Sequence, residues 1–367
     1  MARPTRLLFD ARYIRTDLHD GISRYSLELA RATHIAAVEY DVEVAFLVHS
    51  DEQAAMLPDG ARTLKIHAPT SPLEPATSLL LNRHHPDVVF SPMQTIGSIG
   101  RRFRLILTLH DMIYYRHRTP PGGFNPLVRL GWRLFHLSYW PQRLTLNAAD
   151  TVATVSEASA RQFAEAKLTR RPVVVIPNAP ESLARLLPAG ATPGGPPQSI
   201  VYMGSFMPYK NVEAIVRAMA LLPGRTLHLL SRIAPERRAQ LQALTPEGAD
   251  VVFHNGVSDE QYAALLADRA VLATLSRDEG YGLPLAEALD LGVPAVVSDL
   301  DIFHEVAGAG ALYVDPDDPA AFAAAVQSLD DPMTRGSLIA EGRAHISRFT
   351  WARSAAILLE TVTTLRT

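Results

Sequence analysis

The chain has 367 residues, of which 47% are hydrophobic and 20% charged, with a formal net charge of −3 and no cysteine. That length favours two domains, and that balance fits a globular protein with a sizeable core. The charge excludes the global basic field of a nucleic-acid binder, and the missing cysteine excludes disulfides, thiolate metal sites and cysteine nucleophiles. No apolar run approaches the ~18–20 residues of a membrane span, so any membrane contact is expected to be peripheral and the location cytoplasmic. In chain order, short β-branched or apolar runs predict strands at Leu7–Asp10, Val42–His49, Thr63–His67, Asp87–Ser91, Leu105–His110, Thr151–Ser156 and Val173–Pro177. A second series follows at Ser199–Gly204, Thr226–Ser231, Val251–Asn255, Val271–Ser276, Ala295–Asp299 and Ala311–Asp315. Amphipathic helical patterns separate most of them, among them Ile22–Ala37, Glu157–Ala166, Asn211–Leu222, Pro235–Leu244, Asp259–Ala267 and Pro319–Leu329. Strands alternating with helices predict parallel sheets covered on both faces, and two such series predict two doubly wound units.

The break between them is compositional. Pro188 to Pro197 holds four prolines and three glycines in ten residues, a stretch that supports neither a helix nor a central strand. We therefore expect a first domain over 1–187, a linker over 188–198 and a second domain over 199–349. A last apolar-periodic helix, within 350–367, is expected to pack back on the first domain.

Ligands of doubly wound sheets bind beyond the carboxyl ends of the strands, so the residues after each strand carry the functional signal. In the second half, Gly204 and Ser205 lead to Lys210, and Gly256 and Val257 follow the Val251–Asn255 run. Arg277, Asp278, Glu279, Gly280, Tyr281, Gly282, Leu283 and Pro284 follow Val271–Ser276. Gly280 and Gly282 permit close backbone approach, and Pro284 suits the first turn of a helix. Peptide N–H groups of Gly282 and Leu283 at a helix start favour an anion, above all phosphate. Glu279 before the turn and Glu287 in the helix have seven residues between them. Both cannot sit on a diphosphate, so each is suited to accept hydrogen bonds from hydroxyls at either end of one ligand. Lys210 is a compact cation for the diphosphate. Taken singly, each of these residues reads as solvated surface. Together, after strand ends of one domain, they describe a nucleotide-sugar site.

These residues resemble the family-four retaining glycosyltransferases, and the run from Ser276 to Asp299 resembles that family's paired-glutamate signature. Tyr202 to Asn211 resembles its donor-phosphate segment, and Gly256 to Glu260 its base-side loop. Glu305 and the run Tyr313 to Pro316 fall where the family carries similar residues. In the first half, Asp20-Gly21-Ile-Ser-Arg24-Tyr25, Leu109-His110-Asp111 and the run Thr154 to Glu157 resemble acceptor-domain motifs. The Gly-Ile-x-Arg-Tyr and His-Asp patterns are similar to the mannosyltransferase-like subgroup.

The resemblance implies the GT-B fold: two Rossmann-like, doubly wound parallel-sheet domains with the active site in an interdomain cleft. It implies that Glu279 contacts the donor sugar, with N–H groups of Gly280 to Leu283 around sugar and phosphate. Glu287 would take the ribose hydroxyls and Lys210 the diphosphate. His110 would lie beside the sugar and stabilise an oxocarbenium-like transition state, while Gly21 lets the first loop approach the donor and Arg24 and Asp111 line the first domain's side of the cleft. One departure is visible. Many members carry an arginine where this chain has Ser205. Either another cation, such as Arg277, replaces it, or phosphate binding leans on Lys210 and backbone groups.

The implied partners are a nucleotide-sugar donor, GDP-mannose ahead of a UDP-hexose, and a glycan or lipid-linked acceptor. No cofactor, metal or nucleic acid is expected. Asp315-Pro-Asp317 reads as helix capping at Asp317 or Asp318 rather than as a metal motif. An epimerase or hydrolase on the same fold and a non-catalytic nucleotide-sugar sensor are the rivals. A nicotinamide enzyme is disfavoured because no Gly-x-Gly-x-x-Gly follows the first strand. The segment Phe124 to Leu146, aromatic and arginine-bearing, has two readings. The preferred one is a helix packed on the sheet; the other is a segment docking on anionic lipid, a peripheral association at the inner face of the membrane.

Overall fold

The computed structural model describes residues 3–16, 21–120, 126–188 and 194–366. Asp20, Phe124 and the 189–193 part of the expected linker lie outside the described residues. The chain divides into two compact units, one made of Met1–Asn178 and Phe349–Thr367, the other of Ala179–Arg348.

In the first unit the strands are β1 Thr5–Asp10, β2 Val42–Val48, β3 Arg62–Lys65, β4 Val88–Ser91, β5 Arg104–Thr108, β6 Thr151–Thr154 and β7 Val173–Val175. They pair in parallel in the order β3-β2-β1-β4-β5-β6-β7. Helices cover both faces of such a sheet, which is why its central strands are apolar at successive positions rather than alternately. Leu7, Phe9, Val88, Val89, Phe90, Leu105, Ile106 and Leu107 are all buried. The helix Gly21–Ala36 packs against the last helix, Trp351–Arg366. Ser354 Oγ donates to Pro177 O at 2.7 Å, and Arg366 Nη1 donates to Thr5 Oγ1 at 2.9 Å, so the last helix is bonded into this unit at both ends.

The second unit repeats the plan. Its strands are β8 Ser199–Tyr202, β9 Thr226–Leu229, β10 Asp250–Phe253, β11 Ala270–Thr274, β12 Ala295–Ser298 and β13 Leu312–Val314, parallel in the order β10-β9-β8-β11-β12-β13. Ile200, Leu227, Leu229, Val271 and Val296 form a core with Val212, Ile215 and Phe322 from the helices Val212–Ala218 and Pro319–Ser328. Burying each such side chain fully contributes about 1.5–3 kcal/mol. In each sheet the strand order reverses beside the first strand, between β1 and β4 and between β8 and β11, and the crevice at such a reversal is where ligands bind.

Three differences from the expectation have physical causes. Apart from β1 and β4, which end as predicted, the strands end one or two residues early, because apolar residues such as Leu109 and Val155 continue past the ladder into buried loop ends. The units part after Asn178 rather than at 187, because Leu183 is buried and its turn, Leu183–Leu186, packs on the helices Asp259–Ala267 and Leu283–Leu291 of the second unit. The segment expected as one helix packed on the sheet is instead two helices, Pro126–Phe135 and Trp140–Asn147. No residue of the first is buried, and Leu127, Leu130, Leu134, Leu137 and Trp140 are exposed. The preferred reading therefore fails for the first helix and holds for the second, whose Leu146 is buried in one cluster with Val152 of β6 and Phe163. The apolar arc of the first helix exceeds what Trp132 and Phe135 use against Tyr114, His136 and the cluster around Met112 and Tyr115.

Candidate functional site

The site is built at the reversal between β8 and β11. After β11 the chain turns through Ser276 to Gly282 into the helix Leu283–Leu291. Gly282 holds φ +96°, and a Cβ there would stand 2.8 Å from Phe303 Cε1, so only glycine fits. Pro284 lies in the first turn, no side chain caps this end and no acid stands in its first turn. Leu285 and Ala286 N–H close onto Gly282 O at 3.0 and 3.2 Å, which aligns the first peptide dipoles along the helix. The positive end of that helix is suited to an anion.

Glu279 is the centre of the turn. Its Oε1 accepts from Lys210 Nζ at 2.5 Å and from Ser276 Oγ at 2.8 Å, and both charged side chains are largely shielded from solvent. Lys210 ends the short turn Pro208–Lys210 after β8, and its ammonium lies 5.4 Å from the Tyr209 ring. A second bond ties the same two loops, since Arg277 N–H donates to Tyr209 O at 2.8 Å. Asn211 takes the left-handed conformation and donates from Nδ2 to Pro316 O at 2.6 Å, anchoring the turn to the loop after β13. The carboxylate of Glu279 also reaches Tyr202. Burial first, and that negative charge next, hold the phenol well above its ordinary range and keep it a neutral donor. Tyr202 Oη donates to Ser205 O at 2.6 Å, and Gly204 N–H donates to Ser231 Oγ at 3.1 Å. Glu287 lies in the helix Leu283–Leu291, four residues beyond Leu283 and only 2% exposed.

The remaining residues expected at the donor fall as follows. Gly256 holds φ +108°, and its N–H donates to Leu230 O at 2.8 Å. Val257, half-buried, precedes Ser258, which caps the helix Asp259–Ala267 in a reciprocal box with Gln261. Arg277, proposed as the replacement cation, has its guanidinium paired with Asp317, both exposed. Asp318, not Asp317, caps the helix Pro319–Ser328, accepting from Ala320 and Ala321 N–H at 2.9 Å each. Among the described residues no group of three or more histidines, cysteines and acids could hold a metal ion.

In the first unit, His110 follows β5. Its Nε2 bonds Pro92 O at 2.9 Å, and because a carbonyl only accepts, that nitrogen carries the proton. Its ring meets Tyr25 edge-on at 5.1 Å, and its own carbonyl accepts from Ser159 Oγ at 3.0 Å. Asp111 Oδ1 accepts from Ile113 N–H at 2.9 Å, which makes it a turn former. Gly21 opens the helix Gly21–Ala36 and Arg24 is half-buried one turn along it.

Sequence reasoning missed Ser276 as the group that holds Glu279. It also missed what fills the β1–β4 reversal: Arg12, 2% exposed, forks onto Asp10 at 2.7 Å and Glu74 at 2.8 Å, and Ser91 Oγ donates to Asp10 at 3.1 Å. The local signal was an acid at the carboxyl end of β1 with an arginine two residues on.

The fold is that of two Rossmann-like parallel-sheet units of the GT-B class. Sucrose-phosphate synthase from Thermosynechococcus elongatus superposes with a TM-score of 0.71 at 20% identity, over 98% of this chain and 99% of that one. Anabaena HepE, solved in complex with UDP and glucose, superposes with a TM-score of 0.67 at 17% identity, over 98% of this chain and all of that one. Residues 20–179 match the family described as Glycosyl transferase 4-like domain, and residues 191–345 match Glycosyl transferases group 1. The chain belongs to the family-four glycosyltransferases, and mannosyltransferases are among its curated relatives. The O-antigen chain mannosyltransferase B of Escherichia coli is 33% identical over 159 residues, 41% of this chain and 42% of that protein. The chain spans about 40% of the length of the curated relatives it matches.

Proposed function

We propose that the chain transfers a mannosyl group from GDP-mannose to a hydroxyl of a glycan or lipid-linked glycan, with retention at the anomeric carbon. The observation that carries the reading is the Lys210–Glu279 pair beside the uncapped helix start at Gly282. A diphosphate on that helix end and Lys210, with sugar hydroxyls on Glu279, uses each group for the charge it bears. Glu287 takes the ribose hydroxyls, and the base lies against Gly256 and Val257. The C1–oxygen bond to the diphosphate breaks on the same face on which the acceptor oxygen attacks, and the acceptor's proton passes to the departing diphosphate. Lys210 and the helix dipole stabilise charge that grows on the leaving group, which is where such groups lower a barrier most. His110 is assigned to the cationic sugar, and Gly21, Arg24 and Asp111 to the acceptor side. No step is assigned to a metal. The mannosyl choice is supported by the name of the E. coli relative; a UDP-hexose is the second reading, supported by the UDP and glucose bound to HepE.

The acceptor side of the proposal includes an anionic lipid surface. The exposed ridge Leu127, Leu130, Leu134 and Leu137 runs beside Arg129 and Arg133 and continues into Trp140 and Leu144. Those last two border a cleft rimmed by Lys167, Arg170 and Arg171. Apolar side chains flanked by cations suit the headgroup boundary of an anionic bilayer. Among the described residues no helix is long and apolar enough to cross a membrane.

The deciding experiment combines a thermal-shift panel of GDP- and UDP-sugars with turnover in the presence and absence of a mannosylated acceptor. A rise in melting temperature with GDP-mannose, and release of GDP that depends on acceptor, is the expected result. Donor consumed equally fast in water alone would make the chain a hydrolase, and no shift at millimolar sugar nucleotide would end the donor reading.

A further inference from the structure

The loops after β9 and β10 are pinned side by side. Gly256 N–H donates to Leu230 O at 2.8 Å, and Ile233 N–H donates to Asn255 Oδ1 at 3.1 Å. Arg232 projects from the first of these loops and lies along the bare backbone of the second. A Cβ on Gly256 would stand 3.2 Å from Arg232 Cγ and 3.5 Å from its Nε. The absent side chain at 256 is thus what gives the arginine its bed. Several other arginines of this unit are committed: Arg237 to Glu213 and Phe206 O, Arg277 to Asp317, Arg225 to Asp330, Arg343 to Leu291 O. Arg232 is exposed and has no hydrogen-bond or ion-pair partner among the described residues.

We infer that Arg232 reads the base of the donor and selects guanine. The inference rests on the nucleotide-sugar reading above, which puts the base against Gly256 and Val257. A guanidinium carries parallel N–H donors in a rigid fork. Guanine presents two acceptors, O6 and N7, on one edge at matching spacing, whereas uracil presents O4 beside a C–H. An arginine held by its stem over Gly256, with its fork uncommitted, therefore favours a guanine nucleotide over a uracil nucleotide. Lys210 discriminates nothing here, because both donors carry the same diphosphate.

The test uses the full chain and titration calorimetry with GDP, UDP and 7-deaza-GDP, which lacks N7, on the wild type, Arg232→Ala and, as a control distant from the base, Arg277→Ala. The wild type binds GDP at least about tenfold more tightly than UDP, and 7-deaza-GDP gives up much of that margin. In Arg232→Ala, GDP weakens by roughly tenfold while UDP changes little, so the preference collapses. Arg277→Ala leaves the GDP-to-UDP ratio in place. A wild-type preference for UDP overturns the inference, as does an unchanged GDP affinity in Arg232→Ala. Equal weakening of GDP and UDP in that variant also overturns it, since that marks a phosphate contact. Wild-type protein that binds neither diphosphate brings down the donor reading itself, and this inference with it. Because Arg232 is exposed and unpartnered, an unchanged circular dichroism spectrum and melting temperature accompany the substitution.

Discussion

Lys210 and Glu279 stand 69 positions apart in the chain and 2.5 Å apart in space, so each neutralises the other when no donor is present. A diphosphate competes with Glu279 for the ammonium. Glu279→Gln keeps the size of the side chain and its acceptor for Ser276 while removing the competing charge. GDP alone should then bind at least as tightly as it does to the wild type. Sugar transfer should fall by about 10²-fold or more, because the sugar loses its carboxylate. Calorimetry with GDP beside initial rates with GDP-mannose reads both. Weaker GDP binding in Glu279→Gln would contradict the account.

Gly282→Ala combines a left-handed backbone, at φ +96°, with a methyl 2.8 Å from the Phe303 ring. Phe303 is fully buried and has no room to retreat. The expected loss is about 1–3 kcal/mol in urea unfolding. Adding Phe303→Leu should recover only the part due to overlap and leave the backbone strain.

The ridge on Pro126–Phe135 predicts flotation with vesicles rich in anionic lipid, weakening as salt screens the arginines. Leu130→Asp with Leu134→Asp should abolish it, and Arg170→Glu should reduce it. All three positions are exposed, so melting temperatures should hold. Flotation that survives the double leucine variant would remove the ridge from the interaction.

Acid sensitivity should have a contribution from Asp150. Burial alone would raise its carboxyl. The Leu105 N–H at 2.9 Å and the guanidinium groups of Arg101 at 2.6 Å and Arg104 at 3.0 Å outweigh that and hold it below the usual range. A carboxyl depressed in the folded state stabilises fully above its unfolded value, near about 3.9, and that contribution is lost as pH falls through the folded value. Asp150→Asn should therefore be less stable than wild type at neutral pH and should flatten the decline below about pH 4. Urea unfolding from pH 3 to 7 measures both slopes.

The strand series was legible because each ladder is buried on two faces, so runs such as Leu105–Leu109 and Val271–Leu275 are apolar but for Thr108 and Thr274. Gly282 and Pro284 announced a helix start because their backbone demands are local. The pairing of Lys210 with Glu279 was legible only as two candidates for one ligand, since nothing local says that a lysine after β8 meets an acid after β11. Arg232 was illegible for a related reason. Its place depends on Gly256, in a loop from another strand. The helix Pro126–Phe135 misled because apolar periodicity reports an amphipathic helix and not what lies against it.

The first unit is assembled from two stretches of chain with all of the second unit encoded between them. On a ribosome, the partner for the helix Gly21–Ala36 emerges only after the second unit has been made. Translation of residues 179–348 takes roughly 10–30 s at ordinary elongation rates, and for that time Tyr25 lacks the Trp351 ring it meets at 6.0 Å in the folded unit. A chain stalled before Trp351 would leave the flank of the helix Gly21–Ala36 that meets the last helix exposed indefinitely.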